Sequence, residues 1–137
     1  MLVLMLWRNQ NERRKRKQKM TAETYLKQYL ACNVEIARLE AECDTFSEID
    51  DTEREWIAER YERMRECRKK QRLIISQIDE IDSEVLRSIL SFRYICGMTW
   101  ESIASRLGYD RSYVTKYLRP NAYKVFEKLH RDSLELP

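Results

Sequence analysis

Glycine and proline are scarce in this 137-residue chain, two of each. That leaves no glycine-rich loop to cradle a phosphate and few sites for tight hairpins, so a sheet architecture is excluded. One histidine and four cysteines, Cys32, Cys43, Cys67 and Cys96, with no CxxC pair, leave no spacing suited to zinc. No nucleophile–base constellation stands out, so the chain is not read as an enzyme and no cofactor or metal is expected. The only long apolar run, MLVLMLW, is seven residues, against roughly 20 for a membrane span. Its charges follow the apolar stretch, whereas a signal peptide carries them before it. The expected location is the cytoplasm, without membrane contact, and the cysteines are expected as buried thiols.

What the chain has is charge and helical period. Charged residues make up 36% of it, and apolar positions recur at three- and four-residue steps over long stretches. The fold class is therefore all-α: a long N-terminal helical hairpin, coiled-coil-like, followed by a small domain of three to four helices. Residues 20–81 form the hairpin. Thr21 caps its first helix, whose seam is Tyr25, Tyr29, Cys32, Ile36, Leu39 and Cys43. The polar connector Asp44–Asp51 follows. Asp51 or Thr52 then caps a second helix with the seam Met64, Cys67, Gln71, Ile74, Ile78 and Ile81. Cys43 and Cys67 are the pair that the hairpin would bring closest. Two helices bury little surface, so homo-oligomerisation or docking on the C-terminal domain is expected.

The charge is unevenly spread. Residues 1–19 hold seven Lys/Arg against one Glu, residues 20–98 twelve against seventeen acids, and residues 99–137 seven against five. The basic surplus lies at the two ends, and the acidic middle is unsuited to lie along DNA. Residues 1–19 read as a disordered, dispensable tail. The alternatives are a nucleic-acid-binding arm or a start upstream of a true first residue at Met20.

Residues 82–137 form the second domain, with a helix whose core is Val85, Leu86, Ile89, Leu90, Phe92 and Ile95, ended by Gly97. Thr99–Tyr117, TWESIASRLGYDRSYVTKY, has the pattern of a helix-turn-helix. Thr99 caps the first helix and Glu101 suits its N-terminal dipole. Ile103, Ala104 and Leu107 share a face, Gly108 supplies the turn, and Tyr109 plugs the corner. Asp110 caps a second helix, 111–118, expected to turn Val114 and Tyr117 inward. Arg111, Ser112, Tyr113, Thr115 and Lys116 face out, a set of donors to phosphates and base edges with no acid among them. Thr99, Ser102, Arg106 and Arg119 are the expected phosphate contacts. Pro120 lacks an N–H and should kink or stop this helix near Leu118. A last helix, about Asn121–Arg131, carries Ala122, Val125, Phe126 and Leu129, and the terminal DSLELP should fray.

Residues 86–129, with the order LxxRYxxGxTxxxIAxxLGxxxxxV, resemble region four of bacterial sigma factors, and more closely the phage late-gene regulators of the ArpU/RinA type. The resemblance implies a sequence-specific, double-stranded DNA-binding regulator of phage or prophage genes. Arg111–Leu118 would read the major groove, with RNA polymerase as a second partner. No sigma region two is present, so the chain alone would not melt a promoter. A small-terminase-like packaging component, assembling through its N-terminal helices, is the alternative.

Overall fold

The computed structural model describes residues 19–46 and 50–135. Residues 1–18 of the basic tail, 47–49 of the connector and the last two positions lie outside it. The described residues are all-helical, apart from turns and one isolated antiparallel bridge.

Helix α1 (Ala22–Leu26) starts at Thr21, whose side chain accepts from the Thr24 N–H at 3.2 Å. It passes through Lys27 into α2 (Gln28–Asp44). Helix α3 (Asp51–Asp79) begins one position earlier than the expected caps: Asp50 and Glu53 form a reciprocal capping box. α2 and α3 run antiparallel. Arg60 pairs with Glu42 at 2.7 Å and Arg68 with Glu40 at 3.0 Å, while Gln71 Nε2 donates to the Tyr29 carbonyl at 3.0 Å and to Asn33 Oδ1 at 2.7 Å. The half-exposed Arg68–Glu40 pair adds little, whereas the part-buried Arg60–Glu42 pair and the buried Gln71 fix the register. The far end of the pair closes on Leu39, Cys43 and Met64, with Ile36 and Ile57 against them. The thiols that meet across it are Cys32 and Cys67, not Cys43 and Cys67. Cys96 is exposed rather than buried.

Helix α4 (Glu84–Leu90) is capped by Ser83 and widens into a π turn at Ser91–Ile95, where the Cys96 N–H reaches back five residues to the Ser91 carbonyl at 3.0 Å. Tyr94, four residues beyond buried Leu90, lies in the core, 2% exposed. Gly97, at φ +71°, reverses the chain. α5 (Trp100–Leu107) follows, then α6 (Arg111–Tyr113), a second π turn (Val114–Leu118), α7 (Arg119–Leu129) and the short α8 (Arg131–Leu134).

One core joins both ends of the chain. Tyr25 and Leu26 of α1 and Ile74 and Ile78 of α3 pack with Ile89, Leu90, Tyr94, Ile103, Val114, Ala122, Phe126 and Leu134. The near half of the helical pair is thus docked on the C-terminal helices. A buried polar tie runs through the joint: Tyr25 Oη donates to Gln77 Oε1 and Gln77 Nε2 donates to Ser133 Oγ, both at 2.7 Å, with the His130 ring 3.0 Å from the Gln77 carbonyl. DSLE does not fray, because Leu134 is buried and the Met20 N–H donates to its carbonyl at 2.8 Å. Leu129, expected in the core, is 49% exposed.

Candidate nucleic-acid interface

Two helices crossing at a tight turn build the candidate surface. Thr99 Oγ1 accepts from the Ser102 N–H at 3.1 Å, satisfying a free donor at the start of α5. Ile103 and Ala104 point inward, 0% and 3% exposed, and Ala104 leaves room for the neighbouring helix. Gly108 ends α5 at φ +74°, and the next N–H, from Tyr109, donates to the Ala104 carbonyl at 2.9 Å. A Cβ at Gly108 would meet no atom within 4 Å, so the need for glycine there is purely conformational. Asp110 holds the cap position in extended conformation, but its side chain makes no capping bond.

The helix after the turn neither stops nor kinks out at Pro120. The Arg119 N–H bonds to the Val114 carbonyl, five residues back, and Arg119 is helical at φ −58° and ψ −54°. The π turn shifts the hydrogen-bond frame immediately before proline, where an N–H is about to be missing. Val114 and Leu118 are buried, four apart, while Tyr117, expected inside, is 62% exposed. A four-residue step stays on one face in an α turn and in a π turn alike, so Leu118 rather than Tyr117 follows Val114 into the core.

Outside the turn the exposed side chains are Arg111, Ser112, Tyr113, Lys116 and Tyr117. The Arg111 guanidinium is paired with Glu101 of α5. Thr115 is half-buried and its hydroxyl donates to the Arg111 carbonyl at 3.0 Å, which occupies it locally. Thr99 and Ser102 lie together at the exposed start of α5, their hydroxyls 3.0 Å apart. Arg106, on the exposed side of α5, lies over the Phe92 ring at 5.6 Å. Arg119 faces another way: its guanidinium meets Glu23 of α1 at 3.2 Å and lies 5.2 Å from the Trp100 ring. It ties the C-terminal helices to α1.

Tyr109 does not plug the corner. It stacks on Tyr113 at 5.3 Å between ring centroids, and Tyr113 on Tyr117 at 5.8 Å. Three rings therefore form a ladder on the outer face, partly exposed at 38%, 45% and 62%. Their four-residue spacing is visible in the sequence. No protein family, no curated protein and no solved structure matches this chain.

Proposed function

We propose that the chain is a sequence-specific, double-stranded DNA-binding regulator that docks Arg111–Leu118 in the major groove as the second helix of a helix-turn-helix. One observation carries the reading. The turn at Gly108 buries Ile103, Ala104, Val114 and Leu118 and leaves Arg111, Ser112, Tyr113, Lys116 and Tyr117 outward on a single helix. An arginine in the first turn of such a helix reaches a guanine edge with a bidentate fork, and a lysine a turn later meets phosphate. Tyrosine rings contact thymine methyls with their apolar faces and phosphates with their hydroxyls. Thr99, Ser102 and Arg106 add donors at the groove edge, and Arg119 is assigned to the fold. The sigma-like order of residues 86–129 supports a role in transcription, of phage or prophage genes, with RNA polymerase as partner.

The test is selection of cognate duplexes from a random pool, followed by titration of Arg111→Ala and Lys116→Ala on cognate and scrambled duplexes at several salt concentrations. Arg111→Ala should cost about 1–3 kcal/mol on the cognate site and relax one base position. Lys116→Ala should weaken both duplexes and lower the salt slope by about one. A protein without salt-dependent affinity for any duplex overturns the reading.

The packaging alternative rests on exposed apolar residues of the helical pair, Val34 at 72% and Leu73 at 48%. These suit contact with further copies. A solution mass of eight or more chains favours it, and a monomer or dimer favours regulation.

A further inference from the structure

Beyond Pro120 the long helix carries a second polar surface that the helix-turn-helix does not use. Lys124 and Lys128 of α7 and Arg131 of α8 are exposed, at four- and three-residue steps that continue the outward stripe from Tyr117 through Asn121. Lys19 is placed beside them by its bridge to Glu135. These four cations line a cleft of about 590 Å³ floored by Met20 and Leu134. Glu127 is the one acid among the lining residues, and its Oε1 accepts from the Ala22 N–H at 3.3 Å. Among the described residues, none of the four cations forms an ion pair, whereas Arg60, Arg63, Arg68, Arg111 and Arg119 all do. Like charges gathered without partners around a concave surface set up a positive potential that a polyanion relieves.

The placement says which polyanion. At about 1.5 Å of rise per residue, Lys124 lies about 10 Å and Lys128 about 16 Å along the helix from Tyr117. A major groove is about 12 Å wide. A helix whose first turns lie in the groove therefore carries these lysines to its rim, where the next strand of phosphates runs. Lys19, the first described residue, enters the fold at the same cleft.

We propose that the Lys19/Lys124/Lys128/Arg131 cleft is a second phosphate-binding site, gripping the sugar–phosphate backbone of the duplex beside the stretch that Arg111–Leu118 reads. This rests on the DNA-binding reading above, and it adds an element that reads no sequence and extends the footprint. Lysines act there as point charges on phosphates, so they contribute affinity and salt dependence but no base preference.

The experiment uses the full chain and two cognate duplexes. One is about 10 base pairs, covering only the reading helix, and the other is about 20 base pairs. Lys124→Gln/Lys128→Gln is compared with wild type and with Lys69→Gln/Arg72→Gln, which removes the same charge from the exposed face of α3. Thermal melts followed by circular dichroism verify folding of each. On the long duplex the cleft variant should lose about tenfold in affinity, and its log–log salt slope should fall by about 1.8, near 0.9 for each lost phosphate contact. Its ratio of cognate to scrambled affinity should not change. On the short duplex it should match wild type, and the α3 variant should match wild type on both. Wild-type affinity and slope for the cleft variant on the long duplex overturn the second site while leaving the reading helix standing. So does an equal loss on both duplexes, or an equal loss in the α3 variant. If wild type binds neither duplex, the DNA-binding reading fails first, and the cleft assignment with it.

Discussion

The guanidinium of Arg111 and the carboxylate of Glu101 are paired across the Gly108 turn, with both side chains about two-thirds exposed, at 67% and 66%. In the proposed DNA complex Arg111 reads a base, so there the acid and a DNA edge would compete for the same donors. Water screens the pair, and its contribution to folding is small. Glu101→Gln should therefore leave stability within about 0.5 kcal/mol of wild type, and it should tighten DNA binding by freeing the fork and removing a charge that repels phosphate. Urea titration and a duplex titration check the two halves. Unchanged affinity would mean that Arg111 does not leave Glu101 to meet DNA.

Two neighbouring residues decide the register of the helix at Pro120. Leu118 is 9% exposed and Tyr117 is 62% exposed. Leu118→Ala should cost about 2 kcal/mol or more through the cavity left behind. Tyr117→Ala should stay within about 0.5 kcal/mol yet weaken binding to cognate DNA. The reverse ranking in denaturant unfolding would place Tyr117, not Leu118, in the core.

Ile74 and Ile36 share the hairpin seam but not the same surroundings. Ile74 is fully buried in the core that includes the C-terminal helices, whereas Ile36 is half-buried at the far end of the pair. An aspartate at 74 places an unpaired charge in that shared core, at a cost of several kcal/mol. Ile74→Asp should unfold the C-terminal helices together with the pair. Ile36→Asp should lower the melting temperature less and leave residues 82–135 protected. Hydrogen exchange read by mass spectrometry separates the outcomes, and protection of 82–135 in the Ile74 variant would argue against a common core.

The Cys32 thiol is raised from 9.0 to about 11, by burial first and then by its hydrogen bond with Cys67. The folded state thus holds the proton more tightly than the unfolded chain does. Stability from this group is complete below pH 9 and falls as pH rises towards 11, because the unfolded thiol ionises first. Exposed Cys96 should alkylate fastest at pH 8, and Cys32 should stay resistant until the pH approaches 11. Peptide mapping after iodoacetamide treatment checks the order. Early labelling of Cys32 would place it outside the packed pair.

All-helical structure was legible because apolar positions at three- and four-residue steps admit no other element over 20-residue stretches. Thr21, Thr99, Gly97 and Gly108 were legible as helix ends, since capping and positive φ are local demands. Several misread positions lie at the two π turns: Tyr94 is buried, Tyr117 is exposed, and Pro120 does not break the helix. No local residue pattern announces such a turn, because tertiary packing selects it. The cleft was missed for a different reason. Lys19 and Lys124 are more than a hundred positions apart, and tertiary contacts such as the Lys19–Glu135 bridge and the Ala22–Glu127 hydrogen bond bring them together.

That bridge also sets an order of assembly. Tyr25 and Leu26 are made about a hundred positions before their core partners Phe126 and Leu134. The Ala22 N–H waits for Glu127 across 105 positions. The Ala22–Leu26 helix is therefore made well before its C-terminal partners, and until they appear only part of its apolar side can be covered, by Ile74 and Ile78 among others. Contacts of such separation slow folding relative to a bundle of nearest-neighbour helices, and a nascent chain stalled before residue 126 has Ile74, Gln77 and Ile78 against its first helix but lacks Phe126 and Leu134.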